Sequence, residues 1–264
     1  PIFHLEAGNR CYDQRVPEEI NRKIVDHISD INLTYSDIAR ENLLRENLPP
    51  FQVIKIGSPL IEVINNNKEN IFKSEILSNL KLKKDNYFVF SSHREENIDD
   101  PENFKKIINI INSIAEKYKL KIIFPVHPRT KKQMKKSKIK LNRLVKVSKP
   151  LGFFDYIKLQ INARVVISDS GSITEESSIL NFPALNIRES HERQEGMEEG
   201  SVIMTGLSLK NVFQGIKILK NQKRGEIRNI NIVNDYDKEN VSEKVIRIIL
   251  SYTDYVKKFI LKKI

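Results

Sequence analysis

Cysteine is nearly absent from this 264-residue sequence, with Cys11 the single example. No intrachain disulfide can form, and neither dithiol redox chemistry nor a cysteine-rich metal centre has the residues it needs. A structural thiol is the expected role. Also missing is any apolar run near the roughly 20 residues that a membrane-spanning helix requires, and the N-terminus has no basic-then-apolar leader. These absences predict a soluble, cytoplasmic chain with no membrane partner. Ligand spacings of the His-Glu-x-x-His kind do not occur, so no metal is called for. There is no internal repeat or disordered tract, and no helix-turn-helix, RNA-recognition or zinc-finger pattern.

What is present is enough apolar material, 39% of residues, to bury one large core or two smaller ones, alongside 30% charged residues and a formal net charge of +11. Much of the positive excess lies in runs such as Lys131-Lys132-Gln133-Met134-Lys135-Lys136. Without aromatic interleaving such runs read as solvated faces, and no nucleic-acid partner is expected. A polyanionic small ligand would also suit a basic protein.

Short β-branched or aromatic runs alternate with longer amphipathic segments. The strand candidates are 2–5, 31–34, 52–56, 87–91, 121–126, 144–147, 165–168, 184–187 and 201–204. Helix candidates are 17–29, 36–46, 59–67, 101–118, 129–137, 153–163, 172–181, 208–219 and 241–262. This alternation predicts an α/β fold with parallel sheets covered on both faces, and ligands beyond the carboxyl ends of strands. Asp100-Pro101-Glu102 carries a helix-start signal. Residues 65–70 and 221–240 read as loops or linkers. The run Ile2-Phe3-His4-Leu5 follows Pro1 directly, so the chain reads as starting inside a domain. The expected organisation is a remnant first domain over 1–58, a second domain over 59–240, and a C-terminal helix over 241–264 that crosses back to the first. An apolar stripe from Val245 to Ile260 would serve that crossing. Since residues 1–58 have too few strands to close a sheet, this chain alone is expected to be aggregation-prone or loosely ordered at 1–58 while the nucleotide domain stays folded.

Several motifs could carry chemistry. Ser168-Asp169-Ser170-Gly171-Ser172 follows the apolar strand 165–167 and opens a helix. Its Gly and unpaired amides suit a diphosphate, and an N-cap at Ser170 or Ser172 is the plainer reading. His93 and Arg94 end the strand at 87–91 and could donate to phosphate oxygens, and His127 ends the neighbouring strand; lone histidines are often structural. Glu6, with Glu18 and Glu19 after Pro17, supplies carboxylates able to exchange a proton with a carbon acid, although acidic residues in a first helical turn are routine. Sequence spacing does not separate Glu18 from Glu19. Arg193, in His191-Glu192-Arg193, is a candidate anion clamp or one half of a surface ion pair.

Taken together, HLEAGNR at 4–10, VPEEINR at 16–22, SHREEN at 92–97, PVHP at 125–128, SDSGSITEE at 168–176 and RESHERQEGMEEG at 188–200 resemble the non-hydrolysing UDP-N-acetylglucosamine 2-epimerases. The forms EAGNRCYDQRVPEEINRKIVDH and LNFPALNIRESHER look closer to the branch that makes UDP-N-acetyl-L-fucosamine. The resemblance implies two Rossmann-like domains around a cleft, a GT-B-like architecture whose first domain is incomplete here. It implies a UDP-sugar substrate, no cofactor, a homodimer, and a role in surface polysaccharide biosynthesis. The reaction it implies is loss of the C2 proton and of UDP to a 2-acetamidoglycal, then return of both with C2 inverted. Residue by residue, the resemblance makes Glu6 and Glu18 the acid/base carboxylates and His93 a diphosphate or catalytic donor. Ser170 and Gly171 would bind phosphate through their amides, Glu176 the ribose hydroxyls, Arg193 the diphosphate, and Tyr156 would lie against uracil. Ser172 departs from the family's second Gly, and Gln194 from its Pro. The family's first Rossmann half, with a further catalytic aspartate, has no counterpart before Pro1, so this chain alone is expected to bind UDP without epimerising. A UDP-sugar glycosyltransferase or a non-catalytic UDP-sugar-binding module would share the nucleotide cradle.

Overall fold

The computed structural model describes residues 1–14, 16–137 and 139–262. In chain order the strands are β1 (Phe3–Ala7), β2 (Ile31–Thr34), β3 (Val53–Lys55), β4 (Tyr87–Ser91), β5 (Lys121–Pro125), β6 (Val145–Ser148), β7 (Val166–Ser168), β8 (Ala184–Asn186) and β9 (Ile203–Met204). All pairings are parallel. The first three form one sheet in the order β1-β2-β3, the other six a second in the order β6-β5-β4-β7-β8-β9. Every strand candidate is present within a residue or two, because each is an apolar run short enough for a strand and bounded by polar residues.

The chain divides into two compact units, one of residues 1–66, 190–199 and 232 onward, the other of 67–189 and 200–231. The sequence division at 58 and 240 therefore differs from the contact-based one. Helix Leu60–Asn66, the segment 190–199 and residues 232–240 group with the first unit.

In the second unit, strand alternation sorts side chains onto two faces. Phe88 and Phe90 of β4, Ile122 and Phe124 of β5, Ile167 of β7 and Leu185 of β8 join one cluster under helices Pro101–Tyr118 and Leu209–Leu219. Tyr87 and Val89, Ile123, Val166 and Ala184 join the opposite cluster, against helix Phe153–Asn162 and its neighbours. A strand apolar on both sides is what a sheet covered on both faces requires. Helix Pro101–Tyr118 starts as its sequence predicts. Asp100 accepts from the Glu102 and Asn103 amides at 2.8 and 2.9 Å, Pro101 occupies the first turn, and Lys119 closes the helix in the left-handed region. Its inward Ile107, Ile111 and Ile114 are fully buried, each worth about 2 kcal/mol.

In the first unit, Ile31, Leu33 and Ile56 pack with Val241 and Val256 of the C-terminal segment, joined by Val245, Ile248 and Tyr252. The predicted helix over 241–262 runs only from Val241 to Tyr255. A wider turn over Val256–Ile260 follows, with the Leu261 amide donating to the Val256 carbonyl at 2.9 Å. That extra residue keeps Val256 and Ile260 on the same cluster.

Two other expectations change. Residues 65–70 are not all loop, since a helix runs from Lys68 to Lys73. Its sequence is polar, but Ile71 is buried and the Phe72 carbonyl accepts from Lys158 Nζ at 3.0 Å, so tertiary contacts outweigh propensity. Helices Glu95–Ile98 and Gln194–Glu198 are too short to give a periodic signal. Among the described residues, no helix is long and apolar enough to cross a membrane.

Candidate active-site residues

In the second unit the sheet order reverses at β4 and β7, which lie side by side while their successors run outward in opposite directions. In such sheets ligands usually bind beyond the carboxyl ends of the strands at the reversal, here β4 and β7. The sequence places SHREEN directly after β4 and DSGS directly after β7.

One carboxylate ties the two motifs together. Asp169 is fully buried. It accepts from the Ser92 hydroxyl at 2.7 Å, from the amides of His93 and Arg94 at 3.1 and 3.2 Å, and from Asn97 Nδ2 at 3.1 Å. Hydrogen bonds to a charged acceptor contribute about 1.5–3 kcal/mol each, so this one side chain sets the path of the loop after β4. The His93 ring is about half exposed, with Nδ1 3.5 Å from Asp169 Oδ1. Asp169 stands inside a motif quoted from the sequence, but nothing local marks it as the organiser; its partners lie more than 70 residues away.

His127 takes the plainer of its two readings. It caps helix Pro128–Lys136 by accepting from the Arg129 amide at 3.4 Å.

At the start of helix Ile173–Leu180, neither serine acts as an N-cap through its side chain. Ser170 Oγ lies 2.9 Å from Ser172 Oγ, and Ser172 donates to Glu176 Oε1 at 2.8 Å. The Ser170 amide is already engaged, donating to Ser168 Oγ at 3.0 Å. Among the described residues the Gly171 amide has no such partner, so of the two expected phosphate-binding amides Gly171 is the one open to a ligand. Glu176 Oε2 accepts from Gln160. Burial raises the Glu176 carboxyl above its ordinary range, opposed by the Gln160 and Ser172 hydrogen bonds. The Tyr156 hydroxyl sits in the same network; burial, then the charge of Glu176, push it well above the ordinary phenol value, while hydrogen bonds to Ser91 and Gln160 oppose the rise. Tyr156 packs partly against the cluster around Tyr87 and Ile173. Phe153 and Phe154, at the start of that helix, are its more exposed aromatics.

In the first unit, Glu6 sits at an irregularity in the β1–β2 register with φ of 65°. A non-glycine residue in the left-handed region is strained, and such strain concentrates at functional positions. The Glu6 carboxylate accepts from Arg193 at 2.7 Å and from Asn9 Nδ2 at 3.2 Å. Two residues on, Gly8 has φ of 80°, and a Cβ there would meet the Ala39 carbonyl oxygen at 2.1 Å. Only glycine fits this turn. Its amide faces Asp26, a fully buried carboxylate that also binds Arg10 at 2.7 Å and His4 at 2.8 Å. Arg10, itself buried, pairs with Glu46 at 2.7 Å, so its charge is matched on both sides.

The structure separates Glu18 from Glu19. Glu19 is buried and accepts from the amides of Cys11 and Tyr12 at 2.9 and 3.3 Å, pinning the loop after Arg10. Glu18, beside it in the first turn of helix Pro17–Ile28, is half-buried. One turn on, Arg22 reaches Glu192 at 2.8 Å. With Glu6–Arg193, this pair fastens the segment 190–199 to the end of β1 and to helix Pro17–Ile28. Arg193 thus forms an ion pair, one of its two sequence readings, but a largely buried one whose partner, Glu6, the sequence did not name. Cys11 is buried with its thiol pushed up by burial, consistent with an inert structural residue.

The family model for UDP-N-acetylglucosamine 2-epimerase matches residues 1–250. The UDP-N-acetylglucosamine 2-epimerase of Methanocaldococcus jannaschii is 34% identical over 261 residues, covering 96% of this chain and 69% of its own. One from Methanococcus maripaludis is 35% identical over 231 residues, covering 84% of this chain and 63% of its own. The chain thus spans about two thirds of the length of the curated relatives it matches. The structure of UDP-N-acetylglucosamine 2-epimerase from Rickettsia bellii superposes with a TM-score of 0.92 at 44% identity, over 100% of this chain and 70% of that one. The Methanocaldococcus jannaschii enzyme in complex with UDP-GlcNAc and UDP superposes with a TM-score of 0.85 at 34% identity, over 94% of this chain and 68% of that one.

Proposed function

Since this chain belongs to the UDP-N-acetylglucosamine 2-epimerase family, a family of isomerases, we propose that it inverts C2 of a UDP-N-acetylhexosamine. A carboxylate removes the C2 proton as the C1–O bond breaks. UDP leaves with the bonding electrons, and a 2-acetamidoglycal forms. A proton then returns to the opposite face of C2 and UDP re-adds at C1. Atoms and electrons balance without a redox cofactor.

Residues of the second unit take the nucleotide end. The Gly171 amide and His93 donate to the diphosphate as its charge grows, which lowers the barrier to its departure. Glu176 accepts from the ribose hydroxyls, and Tyr156 backs the pocket for the base. In the first unit, Glu6 and Glu18 are the acid/base pair, and Arg193 orients Glu6. The observation that carries this reading is the Asp169 carboxylate, which locks the loop after β4 to the loop after β7 where the strand order reverses. A glycosyltransferase would use a similar cradle, but the carboxylate at the left-handed Glu6 favours proton transfer at carbon. The motif forms at 6–27 and 180–193 favour a 6-deoxy-talo substrate within this class, with the product feeding surface polysaccharide synthesis in the cytoplasm. The proposal includes a homodimeric enzyme.

Incubation of the full-length protein with UDP-N-acetylglucosamine, and separately with the 6-deoxy-talo analogue, in deuterated water tests the reading. Deuterium at C2 without any acceptor sugar is expected. Transfer to an acceptor with no exchange would assign a glycosyltransferase instead.

A further inference from the structure

The second unit also has an opening at the other edge of its sheet. A cavity of about 740 Å³ lies at the amino ends of β4 and β7, beside the closing turns of helices Pro101–Tyr118 and Leu209–Leu219. That volume is in the range of pockets that hold nucleotide-sized ligands. Its walls carry six cations, Lys117, Arg164, Lys217, Lys220, Lys223 and Arg224, and one carboxylate, Asp85.

The plain account of these cations is that they balance helix ends. Lys117 and Lys217 do lie in the last turns of their helices, where basic side chains are favoured. Magnitudes limit that account. Two helix ends amount to about half a negative charge each, and Asp85 supplies one more, so an excess of about four positive charges stays unmatched. Asp85 is moreover committed to Arg224, which also donates to the carbonyls of Ala163 and Arg164. Burial pulls the Arg224 guanidinium below its ordinary value, Asp85 opposes that, and nearby Arg164 adds to it.

Two further features point to the kind of ligand. Tyr118 and Phe213 line the same space as a tilted pair with centroids 6.3 Å apart, and Lys117 Nζ stands 4.0 Å from the Phe213 centroid. Gln222, also in the lining, has its side-chain oxygen buried without a hydrogen-bond partner among the described residues. A buried unpaired amide oxygen is costly unless something donates to it.

The geometry points to a second ligand site at this sheet edge, for a phosphorylated aromatic molecule of the nucleoside phosphate class. The ring rests against Tyr118 and Phe213, the phosphates lie among Arg164, Lys220 and Lys223, and a ring or sugar donor satisfies Gln222. β4 separates this site from the His93 loop by its own length, roughly 17 Å for five residues. The two sites can therefore be filled independently.

Equilibrium dialysis of labelled ADP against the protein without UDP tests the assignment, with adenosine and pyrophosphate as separate arms. One ADP per chain is expected, bound at least tenfold more tightly than either adenosine or pyrophosphate. Lys220 and Lys223 are exposed, so Lys220→Glu with Lys223→Glu leaves the fold intact. This double variant is expected to lose ADP at least tenfold while UDP binding, measured alone, is unchanged. No retained ADP overturns the proposal. So does retention indifferent to the charge reversal, or retention of pyrophosphate equal to that of ADP.

Discussion

The hydroxyl of Ser92 donates to Asp169 Oδ2 at 2.7 Å, joining the residue after β4 to the residue after β7 across a buried contact 77 positions apart in sequence. The same oxygen accepts from the Arg94 amide and from Asn97, which leaves the loop one way to run. Whatever His93 does for a ligand, this carboxylate decides where His93 stands.

Asp169→Asn keeps the volume but turns one acceptor into a donor facing other donors. At least one charge-assisted bond is lost and one N–H is left unpaired, a cost of about 3 kcal/mol. The melting temperature is expected to fall by several degrees and UDP affinity at least tenfold; calorimetric melting and UDP titration check both. A variant with wild-type UDP affinity would free His93 from this lock.

In the full-length protein, Glu6→Gln and Glu18→Gln should each abolish deuterium exchange at C2 while leaving UDP affinity within a few-fold. Glu6→Gln also breaks the 2.7 Å pair with Arg193, so a modest loss of stability is expected there. Exchange at the wild-type rate in both variants would remove these carboxylates from the mechanism.

The neighbouring carboxylate behaves differently. Glu19 is buried under the amides of Cys11 and Tyr12, so Glu19→Ala leaves two donors without their acceptor. A loss of about 2–4 kcal/mol is expected in denaturant melts. Any residual folded protein should keep measurable exchange, in contrast to Glu18→Gln.

Glu176 carries a pH signature. Burial raises its folded-state pKa above that of the unfolded chain, so the folded form holds the proton more tightly. Stability from this group is complete below the ordinary carboxylate range and is lost as pH rises through the raised value. Glu176→Gln removes the penalty. The variant should gain in melting temperature relative to wild type at pH 8 and show less advantage at pH 4, while its UDP affinity falls. A difference between the two proteins independent of pH would argue against a raised carboxyl.

The order of elements was legible from the chain, because strand and helix periodicities are local. Val165 to Ile167 with Ser168-Asp169 behind it marks a strand edge and a turn in any fold. Glu6, Glu18, His93, Gly171 and Arg193 were singled out by the resemblance of the motif strings to a known family, not by periodicity. Tertiary structure alone chose among near-equivalents. It made Glu19 rather than Glu18 the buried loop anchor and turned His127 into a helix cap. It occupied the Ser170 amide with Ser168, and it gave Arg193 the Glu6 carboxylate as partner, 187 residues distant. Charge and hydrogen-bonding capacity are properties of a residue type and can be read from a sequence. Which partner satisfies them, and how far burial shifts them, depends on groups brought together only when the sheets β1-β2-β3 and β6-β5-β4-β7-β8-β9 and the segments packed on them form.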